Sequence, residues 1–363
     1  MTLFLKLTAF LGILLIAQVL LSLSYDLRAT GEADGPHLDL PGHLRVSVPD
    51  PDHYNAPPEV AAVQTYQRTN PIVGFAWQPS IDTSDGIVIS WGDAPPGVVS
   101  TDEFGFVNST AAIAQHRSGT PVDIVGLGAS YMGGAQATFF DYFDLKGLFY
   151  YNLGQGRYTV PQFNAALQAY ALPLKPKWIV YGLDEVSFLL IDDFEGWKRS
   201  GMDWFSYHGG SWCGPPRKSG FPHDQLHALG TLPHALYCAV ERKVSKKSLV
   251  DLSEAQKRHL VDATRTCVLD AYHTACDNDI GFILLLIPSK TRMTSGPTAQ
   301  NFLFERVVPD LQKSGMTIVD LREPFAAVED PRSLYFAIDS HWNRHGVYIA
   351  AQEILRAVRG GRP

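Results

Sequence analysis

Two short segments of this sequence hold side chains that could act on one another chemically. The first is VDIVGLGASYMGG, residues 122–134, in which Ser130 follows a short apolar run and a glycine turn. A serine at the C-terminal end of a buried strand lies where open α/β sheets place their ligands. Helix N–H groups starting there can hold a negative oxygen. The second segment is IDSHWNRHGVYIAAQEIL, residues 338–355, with Asp339 and His341 two apart on a loop expected to enter a helix. A serine hydroxyl is a poor nucleophile until a base takes its proton. The base in turn needs a carboxylate to fix its tautomer and favour its charged form. Asp-x-His spacing supplies base and orienter from one loop. Ser130, His341 and Asp339 are therefore the candidate nucleophile, base and orienting group of an acyl-transfer reaction. Each also has a plain structural reading: Ser130 or Asp339 as a helix cap, His341 as a surface polar group.

Other chemistries fit these segments less well. A dinucleotide-binding turn would need glycine where Tyr131 stands, after Gly126 and Gly128. A nucleophile elbow of G-x-S-x-G form would need glycine at Met132. His341 and His345 have metal-binding spacing, but no third ligand is evident and Gly346 disturbs a helix there, so no metal is expected. No cofactor is expected either.

The elements that must position these residues read as an α/β alternation. Apolar runs at 122–127, 147–153, 177–183, 281–288 and 317–321 are hydrophobic throughout, as in strands buried on both faces of a parallel sheet. Between them lie helical spacings: one running on from Ser130 through Phe143, one at 161–172 with Pro161 in its first turn, and a long one from Ser253 to Cys276. The expected fold is a three-layer α/β sandwich around a mainly parallel five-stranded sheet. A segment at 192–250, rich in Gly, Pro and Trp, interrupts the rhythm as an insertion. Its Trp197, Trp204 and Trp212 could line a sugar groove or simply pack. The pieces IVGFAW, GIVISW and FGFVNS predict a small β-rich lead-in over 71–115.

Taken together, the blocks resemble the SGNH/GDSL hydrolase superfamily over about 120–360. Gly128-Ala129-Ser130 with Gly134 is similar to the family's first block, and Asn152-Leu153-Gly154 to its second. Tyr181-Gly182-Leu183-Asp184-Glu185 is similar to the G-x-N-D block. Asp339-Ser340-His341-Trp342-Asn343 is similar to the last, in its D-x-H-W-N form found in envelope members. The resemblance implies a double displacement in which Ser130 and Gly154 N–H groups hold the oxyanion. Two positions depart from the pattern. Ala129 replaces an aspartate that the resemblance marks as structural. Asp184 stands where the family has an asparagine that donates to the oxyanion, and an ionised carboxylate only accepts. Losing one such donor costs on the order of 10²–10³ in rate. A protonated Asp184 or a donation from Gln155 would restore it. A catalytically weak or inactive glycan-binding or scaffolding protein is the alternative.

The remainder of the chain places this activity outside the cytoplasm. Leu7–Leu23 is a run of 17 mostly apolar residues behind Lys6, expected as a membrane anchor or signal peptide over 1–25 and followed by a proline-bearing linker over 26–70. The domain proper is expected over 116–363. Net charge is −7, with no basic stripe interleaved with aromatics, which excludes nucleic acid as a partner. An acylated carbohydrate is the expected substrate. Four cysteines, 213, 238, 267 and 276, suggest disulfides in that setting. In a continuous helix Cys267 and Cys276 lie about 13.5 Å apart, beyond disulfide reach. A Cys213–Cys238 bond, or either crossed pairing, remains, and the first is favoured because it closes a loop of about 26 residues, contributing roughly 3–4 kcal/mol.

Overall fold

A computed structural model describes residues 67–82, 88–89, 97–98, 100–133, 139–185, 187–188, 191–207, 252–296, 302–337 and 340–361. The Leu7–Leu23 run, Gly134, Trp212, Cys213, Cys238 and Asp339 lie outside the described residues. Among the described residues no helix is long and apolar enough to cross a membrane.

The described chain begins with two antiparallel pairs, β1 (Gln67–Asn70) with β2 (Gly74–Trp77) and β3 (Val88–Ile89) with β4 (Gly97–Val98). β1 falls inside the 26–70 segment expected as a linker. FGFVNS is not a strand. Asp102 takes the Phe104 and Phe106 N–H groups on its Oδ1 at 2.9 and 2.8 Å, so donors that a ladder would need go to a carboxylate.

The five apolar runs become β5 (Ile124–Gly128), β6 (Tyr150–Asn152), β7 (Trp178–Asp184), β8 (Gly281–Ile287) and β9 (Thr317–Asp320). All neighbours pair in parallel, in the order β6-β5-β7-β8-β9. The helices up to the insertion are α1 (Thr110–Arg117), α2 (Ser130–Gly133), α3 (Phe140–Asp144), α4 (Val160–Ala166), α5 (Ile191–Ser200) and α6 (Trp204–Tyr207). Those after it are α7 (Glu254–Asp277), α8 (Lys290–Ser295), α9 (Phe302–Gln312), α10 (Arg322–Ala326) and α11 (Arg344–Gly360). The helix expected to run unbroken from Ser130 to Phe143 is instead the four-residue α2 and, from Phe140, α3.

Helices cover both faces, which is why β7 and β8 are buried at every residue. On one face Val180, Ile283 and Leu285 pack with Val347, Ala350 and Ile354 of α11. On the other, Tyr181 meets Phe163 of α4 and Phe282, and Phe282 meets Tyr272 of α7. The fold is a three-layer α/β sandwich. The long α7 starts where the sequence places it: the Ser253 hydroxyl accepts the Gln256 N–H and the Gln256 side chain returns to the Ser253 N–H. Cys267, half-buried, and Cys276, exposed, are both free thiols, so neither crossed disulfide is present. Trp197 and Trp204 do not line a groove. They are 4% and 1% exposed and pack on each other, with Trp204 also against Phe75.

Candidate active site

Strand register brings the site together. Gly128 of β5 is paired with Gly182 of β7, and Gly126 with Asn152 of β6. Two residues beyond the Gly128–Gly182 pair, Ser130 opens α2 and Asp184 ends β7, at the C-terminal edge of strands about 4.8 Å apart. The turn from β5 into α2 requires glycine at 128. Its φ is +156°, and a Cβ there would lie 2.4 Å from Met132 Cγ and 3.0 Å from the Gly182 carbonyl oxygen.

His341 arrives from the other end of the chain. Tyr335 and Trp342 form an antiparallel bridge, and the Asn343 N–H donates to the Leu334 carbonyl at 2.9 Å. Asn343, not Asp339, caps the helix: its Oδ1 accepts the His345 and Gly346 N–H groups at 2.9 and 3.3 Å, satisfying two first-turn donors of α11. Trp342, 1% exposed, fixes the loop from beneath. A Cβ on Gly346 would lie 2.6 Å from the Leu334 carbonyl oxygen, so the loop closes on the helix only with glycine there. The result is a contact of 2.6 Å between His341 Nε2 and Ser130 Oγ. Tyr131, next to the serine, packs its ring on His341 at 4.9 Å and donates its hydroxyl to the Ser340 carbonyl at 2.9 Å.

The other expected groups fall as follows. The Gly154 N–H is already used. It donates to Asn152 Oδ1 at 3.0 Å, while Asn152 Nδ2 donates to the Gly154 carbonyl at 3.1 Å. The glycine beside the serine is Gly156. A Cβ on it would sit 3.8 Å from Ser130 Cβ, and among the described residues its N–H has no acceptor. Gln155 is 3% exposed, its N–H donates to the Gly128 carbonyl at 3.0 Å, and its Oε1 is buried without a partner. Asp184 is 3% exposed, and its N–H donates to Ser187 Oγ at 3.3 Å. Its neighbour Glu185, 2% exposed, accepts from Ser289 N–H at 3.1 Å and Arg292 Nη1 at 2.7 Å.

The lead-in is stitched to this loop. The Asn152 N–H donates to Asn108 Oδ1 at 2.8 Å, and Asn108 Nδ2 to the Asn152 carbonyl at 3.0 Å. Tyr151 donates its hydroxyl to Asp102 Oδ2 at 2.7 Å. Burial lifts the Asp102 carboxyl from 3.8 to about 6, outweighing the Phe106, Tyr151 and Phe104 donors that lower it. A carboxyl raised on folding stabilises most below its unfolded value, and that contribution is lost as pH rises through about 6. Between pH 4 and 7 the protein should thus lose on the order of 3 kcal/mol through this one group. Asp102→Asn removes that slope. Calorimetric Tm values for the two proteins should diverge in pH dependence over this window. Parallel curves would mean that Asp102 titrates normally.

Among the described residues no three His, Cys, Asp or Glu side chains group to hold a metal, and His345 is exposed. A cavity of about 360 Å³ lies at the exits of β8 and β9, lined by residues including Arg292, Asp320 and Arg322. It is no anion cradle, since Arg292 is paired with Glu185 and Glu305, and Arg322 with Asp320.

Residues 251–363 match the family described as an SGNH hydrolase-like domain, acetyltransferase AlgX. The match includes the His341 loop, and Ser130 precedes it. No curated protein sequence matches the chain. Among solved structures, a GDSL-like lipase from Bacteroides thetaiotaomicron is 13% identical, with a TM-score of 0.38, covering 69% of this chain and 97% of its own. An acetylxylan esterase from Geobacillus stearothermophilus is 11% identical, with a TM-score of 0.39, covering 65% and 94%. A lipase/acylhydrolase from Enterococcus faecalis is 12% identical, with a TM-score of 0.39, covering 66% and 96%. Residues 251–363, which carry the His341 loop, are thus similar to an SGNH hydrolase-like domain, and the parallel sheet before them brings Ser130 to that loop.

Proposed function

We propose that the protein is a serine ester hydrolase or O-acyltransferase acting on O-acyl groups of an envelope or exported polysaccharide. The observation that carries this reading is the 2.6 Å contact between His341 Nε2 and Ser130 Oγ at the C-terminal edge of the sheet. Ser130 Oγ attacks the acyl carbon as its proton passes to His341 Nε2. The ester C–O bond then breaks, and His341 returns the proton to the leaving alcohol. Water, or a sugar hydroxyl, next gives its proton to His341 and takes the acyl group; the Ser130 Oγ–acyl bond breaks, and His341 returns the proton to Ser130 Oγ. Asp339 orients His341 and supports its charge. The N–H groups of Ser130 and Gly156 hold the developing oxyanion.

The family description, which names an acetyltransferase, supports acyl transfer. The Leu7–Leu23 run supports an extracytoplasmic location with a membrane anchor or cleaved signal over 1–25, a linker over 26–70, the β-rich lead-in over 71–115 and the catalytic domain over 116–363. A serine-directed fluorophosphonate tests the reading. We expect one adduct, on Ser130, and none in Ser130→Ala. An unlabelled, folded wild-type protein would favour the second reading, a non-catalytic glycan-binding protein that keeps the fold. Asp184, in place of an amide donor, is the feature that favours it.

A further inference from the structure

The loop that carries His341 is closed at its base by its own backbone. Beside the Tyr335–Trp342 bridge, the Phe336 N–H donates to the His341 carbonyl at 3.0 Å. Four residues, 337–340, connect the two sides of that pairing. Tyr131 reaches this connection from the Ser130 side, at the Ser340 carbonyl. Lys290 reaches it from the start of α8: its Nζ donates to the carbonyls of Phe336 and Ala337 at 2.5 and 2.6 Å. In extended chain, successive carbonyls point to opposite sides. Two of them reach one ammonium here because the chain bends at Ala337. Lys290 therefore sits on the bend that precedes Asp339, Ser340 and His341 in the chain.

The lysine is itself firmly placed. It opens α8, whose N-cap Ser289 accepts the Arg292 N–H on its side chain at 3.2 Å. Buried Glu185, at the exit of β7, binds both the Ser289 N–H and Arg292. The turn before α8 also accepts the Tyr335 hydroxyl, on the Pro288 carbonyl at 2.8 Å. A chain of contacts thus runs from the sheet edge through α8 to the base of the His341 loop.

We propose that Lys290 is a positioning residue for the proton-transfer loop. By binding the carbonyls of Phe336 and Ala337, its ammonium sets where His341 Nε2 meets Ser130 Oγ. The chemical consequence rests on the serine acyl-transfer reading; the effect on the loop does not. A misplacement of about 1 Å in such a pair can cost roughly 10²-fold in rate.

The test compares the full chain with Lys290→Met, which keeps the length of the stem and removes the donors, and with Lys290→Arg, which keeps cation and donors. Three things are measured: amide hydrogen exchange over 335–343, the rate of fluorophosphonate labelling of Ser130, and kcat and KM for p-nitrophenyl acetate. For Lys290→Met we expect about tenfold faster exchange in that segment, with β7 and β8 unchanged. Labelling and kcat should fall about 10–100-fold while KM stays within about twofold, and Lys290→Arg should recover most of both. Unchanged loop exchange in folded Lys290→Met, with labelling at the wild-type rate, overturns the proposal. So does a loss in step with global stability that arginine does not rescue. If the wild type takes no label but Lys290→Met still loosens the loop, the positioning role stands and the enzymatic reading fails.

Discussion

Replacing His341 by alanine should lower kcat/KM for p-nitrophenyl acetate about 10⁴-fold, a loss near 5.4 kcal/mol in transition-state stabilisation. The reason lies in the single contact that the imidazole makes with the serine: Nε2 lies 2.6 Å from Oγ. Without a base there, the hydroxyl must lose its proton to water, and serine at neutral pH is a weak nucleophile. The fold should survive the change. His341 is only half-buried, and the loop is held by Trp342, Asn343 and the backbone pairing of Phe336, none of which needs the imidazole. Thermal unfolding should therefore stay within a few degrees while activity collapses. Free imidazole added to the variant should enter the vacated space and restore part of the rate. A folded His341→Ala protein that keeps a third of wild-type activity would remove His341 from the reaction and with it the serine mechanism.

The sheet was legible because burial on both faces leaves a simple trace. Five runs without polar alternation became five parallel strands, with ends within three residues of those read. The Ser130 and His341 segments were legible for a different reason: a strand–turn–helix and a D-x-H-W-N loop put chemistry-bearing residues at element ends. What the sequence hid were captures of backbone groups by side chains. Asp102 draws the Phe104 and Phe106 N–H groups into a turn, although the aromatic alternation reads as strand. Asn152 takes the Gly154 N–H, so the first glycine after it is spent on the loop and the second, Gly156, faces the serine. Register counting from the Gly126–Asn152 pair reaches Gly156, but that pair is a tertiary fact. Tyr131 and Lys290 carried no motif at all. Their hydroxyl and ammonium matter only because the chain brings residues 340, 336 and 337 to them.

Asp184→Asn should raise kcat for acyl-ester turnover by about 10–100-fold, the reverse of what a substitution in a buried site normally does. Asp184 ends β7, two residues after the Gly128–Gly182 pair that precedes Ser130, and we propose that its side chain faces the place where the acyl oxygen sits. As the tetrahedral intermediate forms, that oxygen becomes negative. An ionised carboxylate beside it can only accept hydrogen bonds, and its charge opposes the one that develops. An amide of the same shape removes the repulsion and supplies an N–H₂ donor, worth on the order of 10²–10³ in rate where such donors have been deleted. The backbone should accept the change, because the Asp184 N–H bond to Ser187 Oγ and its ladder to β8 do not involve the carboxylate. The gain should appear in kcat with KM nearly constant, since the donor binds the transition state more strongly than the ester. Equal turnover in the two proteins would place Asp184 away from the acyl oxygen. A fall would give the carboxylate a role of its own, such as binding the hydroxyl of an acceptor sugar, and would turn the departure at 184 from a defect of a hydrolase into a requirement of a transferase.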